Sequence, residues 1–181
     1  MAINADEAAR SLGVVDEALR RSAMFRGYQS AAPQLILWGG LWAVGFAAND
    51  VWPSSVNWIW AVIGVGGWGA SLTIARRDRG RSVPDKRIFA LVLVIVAFFA
   101  GSIIVMAPAR PNQVAAFIAI ATAACYCGFG IYGLPRLVVT GAAMFGLTLF
   151  GYFLLPAYFL LWMAVVGGGG LMLGGFWLRS V

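Results

Sequence analysis

The chain has 181 residues, of which 61% are hydrophobic and 11% charged, where an ordinary soluble domain carries about 25% charged residues. A mean hydropathy of +0.85 and a net charge of +6 exclude a soluble globular domain and predict an all-α integral membrane protein. Each crossing needs roughly 20 apolar residues, so the length limits the chain to about six or seven spans and leaves no room for a separate catalytic domain.

Residues 1–31 mix acidic and basic side chains and lack the apolar core of a cleavable signal peptide, so the first apolar segment is expected to remain as a span. Asn4 and Glu7 read as a capping pair, and Ala8, Leu12, Val15 and Leu19 then fall on one helical face. This predicts a cytoplasmic amphipathic helix over about 4–26, followed by a linker to 31, with Gly13 softening its middle. Leu12, Val15, Leu19, Arg20 and Arg21 are its candidate contacts. The inner leaflet, a protein partner reached through residues 1–28, and the chain's own bundle are all open as the surface they meet.

Residues 32–181 are expected to form a six-helix transmembrane bundle, with spans at about 34–52, 56–75, 88–107, 114–134, 137–155 and 157–178. An unbroken helix from Leu137 to Leu178 would be about 63 Å long, twice the roughly 30 Å core, so the chain must turn near Pro156. At Gly133-Leu134-Pro135-Arg136, a glycine free to take positive φ precedes a proline suited to a first helical turn.

Twelve of the thirteen Lys and Arg residues fall on one side of this arrangement, leaving Arg110 alone on the other. The positive-inside rule then places both termini in the cytoplasm, and an all-helical span set fits a bacterial inner membrane. Trp52, Trp58 and Trp60 gather at the outer ends of spans one and two, as interfacial anchors do. The loop from Arg76 to Arg87 holds six positive and two negative charges. It reads as a topology determinant that also attracts anionic lipid, and it lacks the folded basic surface or stacking aromatics that nucleic-acid binding needs.

Each odd span ends near a proline (Pro53, Pro108, Pro156), and each even span is glycine-rich before an arginine (Arg76, Arg136, Arg179). The pattern suggests three helical hairpins of similar plan, although chance in so biased a composition explains it equally well. This spacing is loosely similar to that of the bacterial HdeD-type six-helix proteins. That resemblance implies a six-helix fold and carries no function.

Chemistry is sparse. The chain has no histidine, which removes the usual haem, zinc and copper ligand and the base of most nucleophilic triads. Cys125 and Cys127 lie about 200° apart on a helix and cannot chelate one ion from it. With Met106, Met144, Met163 and Met172 they read as the ordinary sulfur of an apolar bundle. No catalytic residue, metal site or cofactor is expected.

Asn49 and Asp50 stand at the outer end of span one, either as part of a solute site or as ordinary interfacial polar groups. The run Gly167, Gly168, Gly169 and Gly170 has two readings, a broken helix lining a cavity or a very close helix crossing. The pairs Ala43 and Ala47, Gly66 and Ala70, Ala142 and Gly146, and Gly170 and Gly174 each place small residues four apart for close packing. Such faces pack within one bundle or against a second copy of the chain. Ala43-x-x-x-Ala47 also resembles the small-residue motif by which substrate-binding subunits of energy-coupling-factor transporters dock their partner.

The resulting expectation is a non-enzymatic membrane accessory or regulatory protein, acting through helix packing and its N-terminal helix. The alternative is a small transporter or solute-binding subunit for an apolar or weakly polar compound, with Asn49, Asp50 and the glycine run at its site.

Overall fold

The computed structural model describes residues 5–78, 86–107 and 110–180, with side chains described for most of them. All regular structure among the described residues is helical. Helix α1 spans Ala5–Val51, α2 Val56–Asp78, α3 Lys86–Met106, α4 Pro111–Ile131 and α5 Pro135–Leu154. The last span consists of α6, Phe159–Trp162, a π-helical turn at Met163–Gly168, and α7, Gly169–Arg179.

Five segments are long and apolar enough to cross a membrane: Leu12–Val51, Pro53–Arg77, Pro111–Ile131, Pro135–Leu154 and Pro156–Arg179. Helix α3 adds a shorter apolar stretch, Leu93–Met106. Asn4 of the expected capping pair and loop residues 79–85 lie outside the described residues, as do the side chains of Glu7, Ala8, Lys86 and Arg87.

The turns follow their local chemistry. Gly133 takes φ +117°, a backbone conformation that favours glycine. The amides of Gly133 and Leu134 both return to the Gly130 carbonyl, closing α4 before Pro135 opens α5. A short 3-10 turn at Pro156–Tyr158 reverses the chain into the last span.

The first helix departs from the sequence expectation. No linker separates an N-terminal helix from span one: α1 runs unbroken for 47 residues with Pro33 inside it, about 70 Å at 1.5 Å per residue. An interior proline costs roughly 3 kcal/mol through its missing N–H and its ring. Here tertiary packing offsets that cost. Tyr28, Ala32 and Leu35 flank Pro33 and are buried in one cluster with Leu137 and Leu178.

The main core is built from α1, α4, α5 and the last span. Trp42 and Phe46 of α1 meet Ala115, Ala116, Ala119 and Ala123 of α4, Met144 of α5, and Phe159, Met163 and Leu171 of the last span. The tightest pairings are α1 with the last span and α4 with α5. Both join different members of the hairpin scheme, so the packing does not follow three equivalent hairpins.

Helix α2 leans on α1. The Trp38 indole N–H donates to Ser71 Oγ at 3.1 Å, and the Gln34 side-chain amide donates to the Ser71 carbonyl at 3.2 Å. Helix α3 meets α4 through Phe98 and Phe99 around Phe117 and leaves Leu93, Val94, Val96, Ile104 and Val105 exposed.

Candidate functional site

The glycine run lies where the last span crosses α1. A Cβ on Gly168 would stand 2.6–2.7 Å from the backbone N, Cα and Cβ of Ala43, and one on Gly39 would meet the Gly168 carbonyl and the Met172 amide at 2.7 Å. Further along, a Cβ on Gly175 would stand 2.9 Å from the Ala32 carbonyl. Backbone meets backbone along this seam, so the geometry is that of a close crossing. The helix widens into a π turn over Met163–Gly168 without breaking, and the Gly169 amide that follows donates to the Val165 and Val166 carbonyls.

The residues of the expected solute site do not converge. Asn49 is buried and its neighbour Asp50 is exposed, because successive residues on a helix point about 100° apart. Gly167 and Gly168 are buried at the level of Trp42 and Ala43, about 9 Å along α1 from Asn49. Gly169 and Gly170 turn away from α1, and neither has an atom within reach of an added Cβ.

Gly167 and Gly170 do line a groove of about 170 Å³ between α5 and the last span, together with Ala143, Met144, Gly174 and Trp177. Thr140 lines it too, but its hydroxyl donates to the Arg136 carbonyl at 2.9 Å. The groove therefore presents shape and apolar surface with little polar recognition.

The small-residue pairs divide between packed and exposed positions within the single chain. Ala43 packs on Gly168, Ala47 lies against the core, and Gly174 meets Thr140 and Leu35. Ala70 is half-buried. By contrast Gly66, Ala142, Gly146 and Gly170 are exposed. An immediate neighbour makes the close contact in two cases, Gly67 against Trp38 and Leu41 and Gly141 against Ala123 and Cys127, while Gly168, two residues before Gly170, packs on Ala43. One residue of shift turns a helix face by about 100°, which is enough to move a small residue from seam to surface. Trp52 and Trp58 are exposed as interfacial anchors would be, whereas Trp60 turns inward, 4.9 Å from Phe46 in an edge-to-face pair.

The N-terminal part of α1 is a projecting arm. Residues 12–23 are all exposed, and Leu12, Val15 and Leu19 on its expected apolar face are 66%, 53% and 60% exposed. Arg21 pairs with Glu17 one turn away. At the base of the arm, Arg20 and Arg21 line an open cleft of about 640 Å³ that continues onto Ile131, Tyr132, Gly133 and Leu134 of the α4–α5 turn.

One organising residue is missed by the sequence reading, which uses Arg136 only as a mark of orientation. Its guanidinium donates to the Trp177 carbonyl at 2.6 Å and to Ser180 Oγ at 3.3 Å. It also stands 5.1 Å from the centroid of a Trp177 ring. Its own backbone N–H, one of the unpaired donors of the first turn of α5, donates to the Tyr28 hydroxyl at 3.2 Å. Arg136 thus ties α1, α5 and the C-terminal end of α7 together. The available signal is a basic residue just inside a proline-started helix, opposite a helix C-terminus that favours positive charge.

Cys125 is exposed, Cys127 is half-buried and both are free thiols. The Cys127 thiol points to the Val138 carbonyl at 3.7 Å. Among the described residues no three of His, Cys, Asp and Glu gather where they would hold a metal ion. Compared with known proteins, the chain matches no family model, no curated protein and no solved structure.

Proposed function

We propose that this chain is a non-enzymatic accessory or regulatory protein of a bacterial inner membrane, with both termini in the cytoplasm, that engages a protein partner through its N-terminal arm. The observation that carries this reading is the arm itself. It continues the helix of the first span without a break and presents Leu12, Val15 and Leu19 exposed, with no partner among the described residues. An amphipathic helix offering apolar anchors at such spacing is a recurring mode of helix recognition. The skew of twelve of thirteen basic residues to one side supports the orientation.

The alternative, a transporter for an apolar or weakly polar compound, draws on the groove lined by Gly167 and Gly170. It has less support, because Asn49 and Asp50 stand outside that groove.

The test is crosslinking in native membranes followed by affinity recovery and mass spectrometry, run on the full chain and on a chain lacking residues 1–28. A protein recovered with the full chain alone supports the reading. Identical recoveries from both chains would overturn it and make solute flux in proteoliposomes the next assay.

A further inference from the structure

We propose that the cleft at the base of the arm is a binding site for an anionic phospholipid, whose headgroup phosphate is held by Arg20 and Arg21. The cleft has about 640 Å³ of space and is lined by Met24, Gly27 and Leu134 together with Arg20, Arg21 and Glu17. That volume is within the ordinary range for a small-molecule site.

Depth in the bilayer favours a lipid. Tyr28 meets the first turn of α5 at Arg136, which marks the arginine-rich end of the packed bundle. Arg21 and Arg20 lie seven and eight residues before Tyr28, about 10–12 Å further along the axis. The polar headgroup layer adds about 5–8 Å on each side of the hydrocarbon core. Long arginine side chains on the outer edge of that layer reach back to the phosphates while their stems cover apolar surface.

Charge and shape agree with this placement. Glu17 neutralises Arg21, while Arg20 has no ion-pair partner among the described residues, so the cleft retains a net positive charge. Tyr132 is 92% exposed at its edge, the position where an amphipathic ring is favoured at a membrane interface. Gly128 and Phe129, exposed one turn along α4, continue an apolar path away from the cleft for an acyl chain. The site does not depend on the proposed partner, and it is tested on the full chain with lipid alone.

The experiment is native mass spectrometry of the full-length protein, with phosphatidylglycerol and phosphatidylcholine as probes. Arg20→Gln/Arg21→Gln is compared with Arg76→Gln/Arg77→Gln, which removes the same charge from exposed positions at the end of α2. The wild type is expected to retain phosphatidylglycerol over phosphatidylcholine. Loss of Arg20 and Arg21 is expected to weaken that retention roughly 10- to 30-fold, from about 1 kcal/mol per basic residue near the surface. The Arg76/Arg77 variant, drawn from a basic segment that attracts anionic lipid without a cleft to hold it, should weaken retention clearly less than the Arg20/Arg21 variant. Equal weakening in both variants, or no preference between the two lipids, would overturn the site. Competition with inorganic phosphate separates the two sources of the same chemistry: retention that survives millimolar phosphate supports a lipid, and displacement by phosphate alone overturns it.

Discussion

Helix α1 has two halves that differ in almost every physical respect. From Tyr28 to Asn49 one side of it is buried, and its small residues let the last span approach until backbones touch at Gly39, Ala43 and Gly168. From Leu12 to Ala23 every residue is exposed, leucines and valines included. Both halves carry large aliphatic side chains, but the arm also carries Asp16, Glu17, Arg20 and Arg21, whereas no charged residue falls between Tyr28 and Asn49. Within the packed half, residue size decides where a partner comes close. Where glycine and alanine recur, a partner helix comes close and van der Waals packing accumulates, which is the main source of helix association when the solvent is itself apolar.

The sharpest way to break the packed half is Gly168→Val. Its side chain would have to occupy space held by the Ala43 backbone, which cannot rotate aside as a flexible side chain can. Overpacking of this kind costs typically about 1–3 kcal/mol and more where backbone must move, so a loss of about 3 kcal/mol or more is expected in detergent unfolding. Gly169→Ala is the matched control one position away. It meets open space, and replacing a helical glycine with alanine is expected to gain about 0.5–1 kcal/mol. If both variants unfold alike, the close crossing is absent.

A smaller effect is expected at the arginine-rich end. Arg136→Gln removes the bond to the Trp177 carbonyl and the ring contact, and Tyr28→Phe removes the acceptor of the Arg136 amide. Each should cost about 1–2 kcal/mol, the scale of one charged hydrogen bond or one partly desolvated cation–π contact. Hydrogen exchange should speed up in the last turn of α7 for Arg136→Gln and in the first turn of α5 for Tyr28→Phe. Uniform exchange across the bundle in both variants would contradict the tie.

The uneven legibility of this fold in its sequence has a physical cause. Turns were readable because glycine and proline impose them by covalent geometry: Gly133 takes positive φ, Pro135 opens α5 and Pro156 reverses the chain. Helix faces were not. In water a helix advertises its buried side by contrast with a polar one, whereas a span in lipid is apolar all round. The inward choice of Gly67 over Gly66, and of Gly141 over Ala142, leaves little trace in composition. The linker expected before the first span fails for another reason: the helix continues through Pro33, whose cost is offset by the packing of Ala32 and Leu35. Arg136 was hidden for a third reason: its partners come from residues 28, 177 and 180, and no local pattern joins them.

The gentlest intervention falls on the arm and bears most directly on function. Leu12→Ser/Val15→Ser/Leu19→Ser removes three apolar side chains that are more than half exposed. Surface changes of this kind usually alter stability by no more than about 0.5 kcal/mol, so the midpoint of unfolding should match wild type. Serine is a poorer helix former than leucine by a few tenths of a kcal/mol, and circular dichroism should show at most a slight loss at the N-terminal end. Recovery of a crosslinked partner is nonetheless expected to fall steeply, because a few apolar anchors carry most of the energy in a helix-recognition interface. A variant that keeps its partner in full would assign the arm's apolar face no part in recognition. A variant that unfolds early would show that the arm packs on the bundle in solution, and that the two halves of α1 are one structural unit after all.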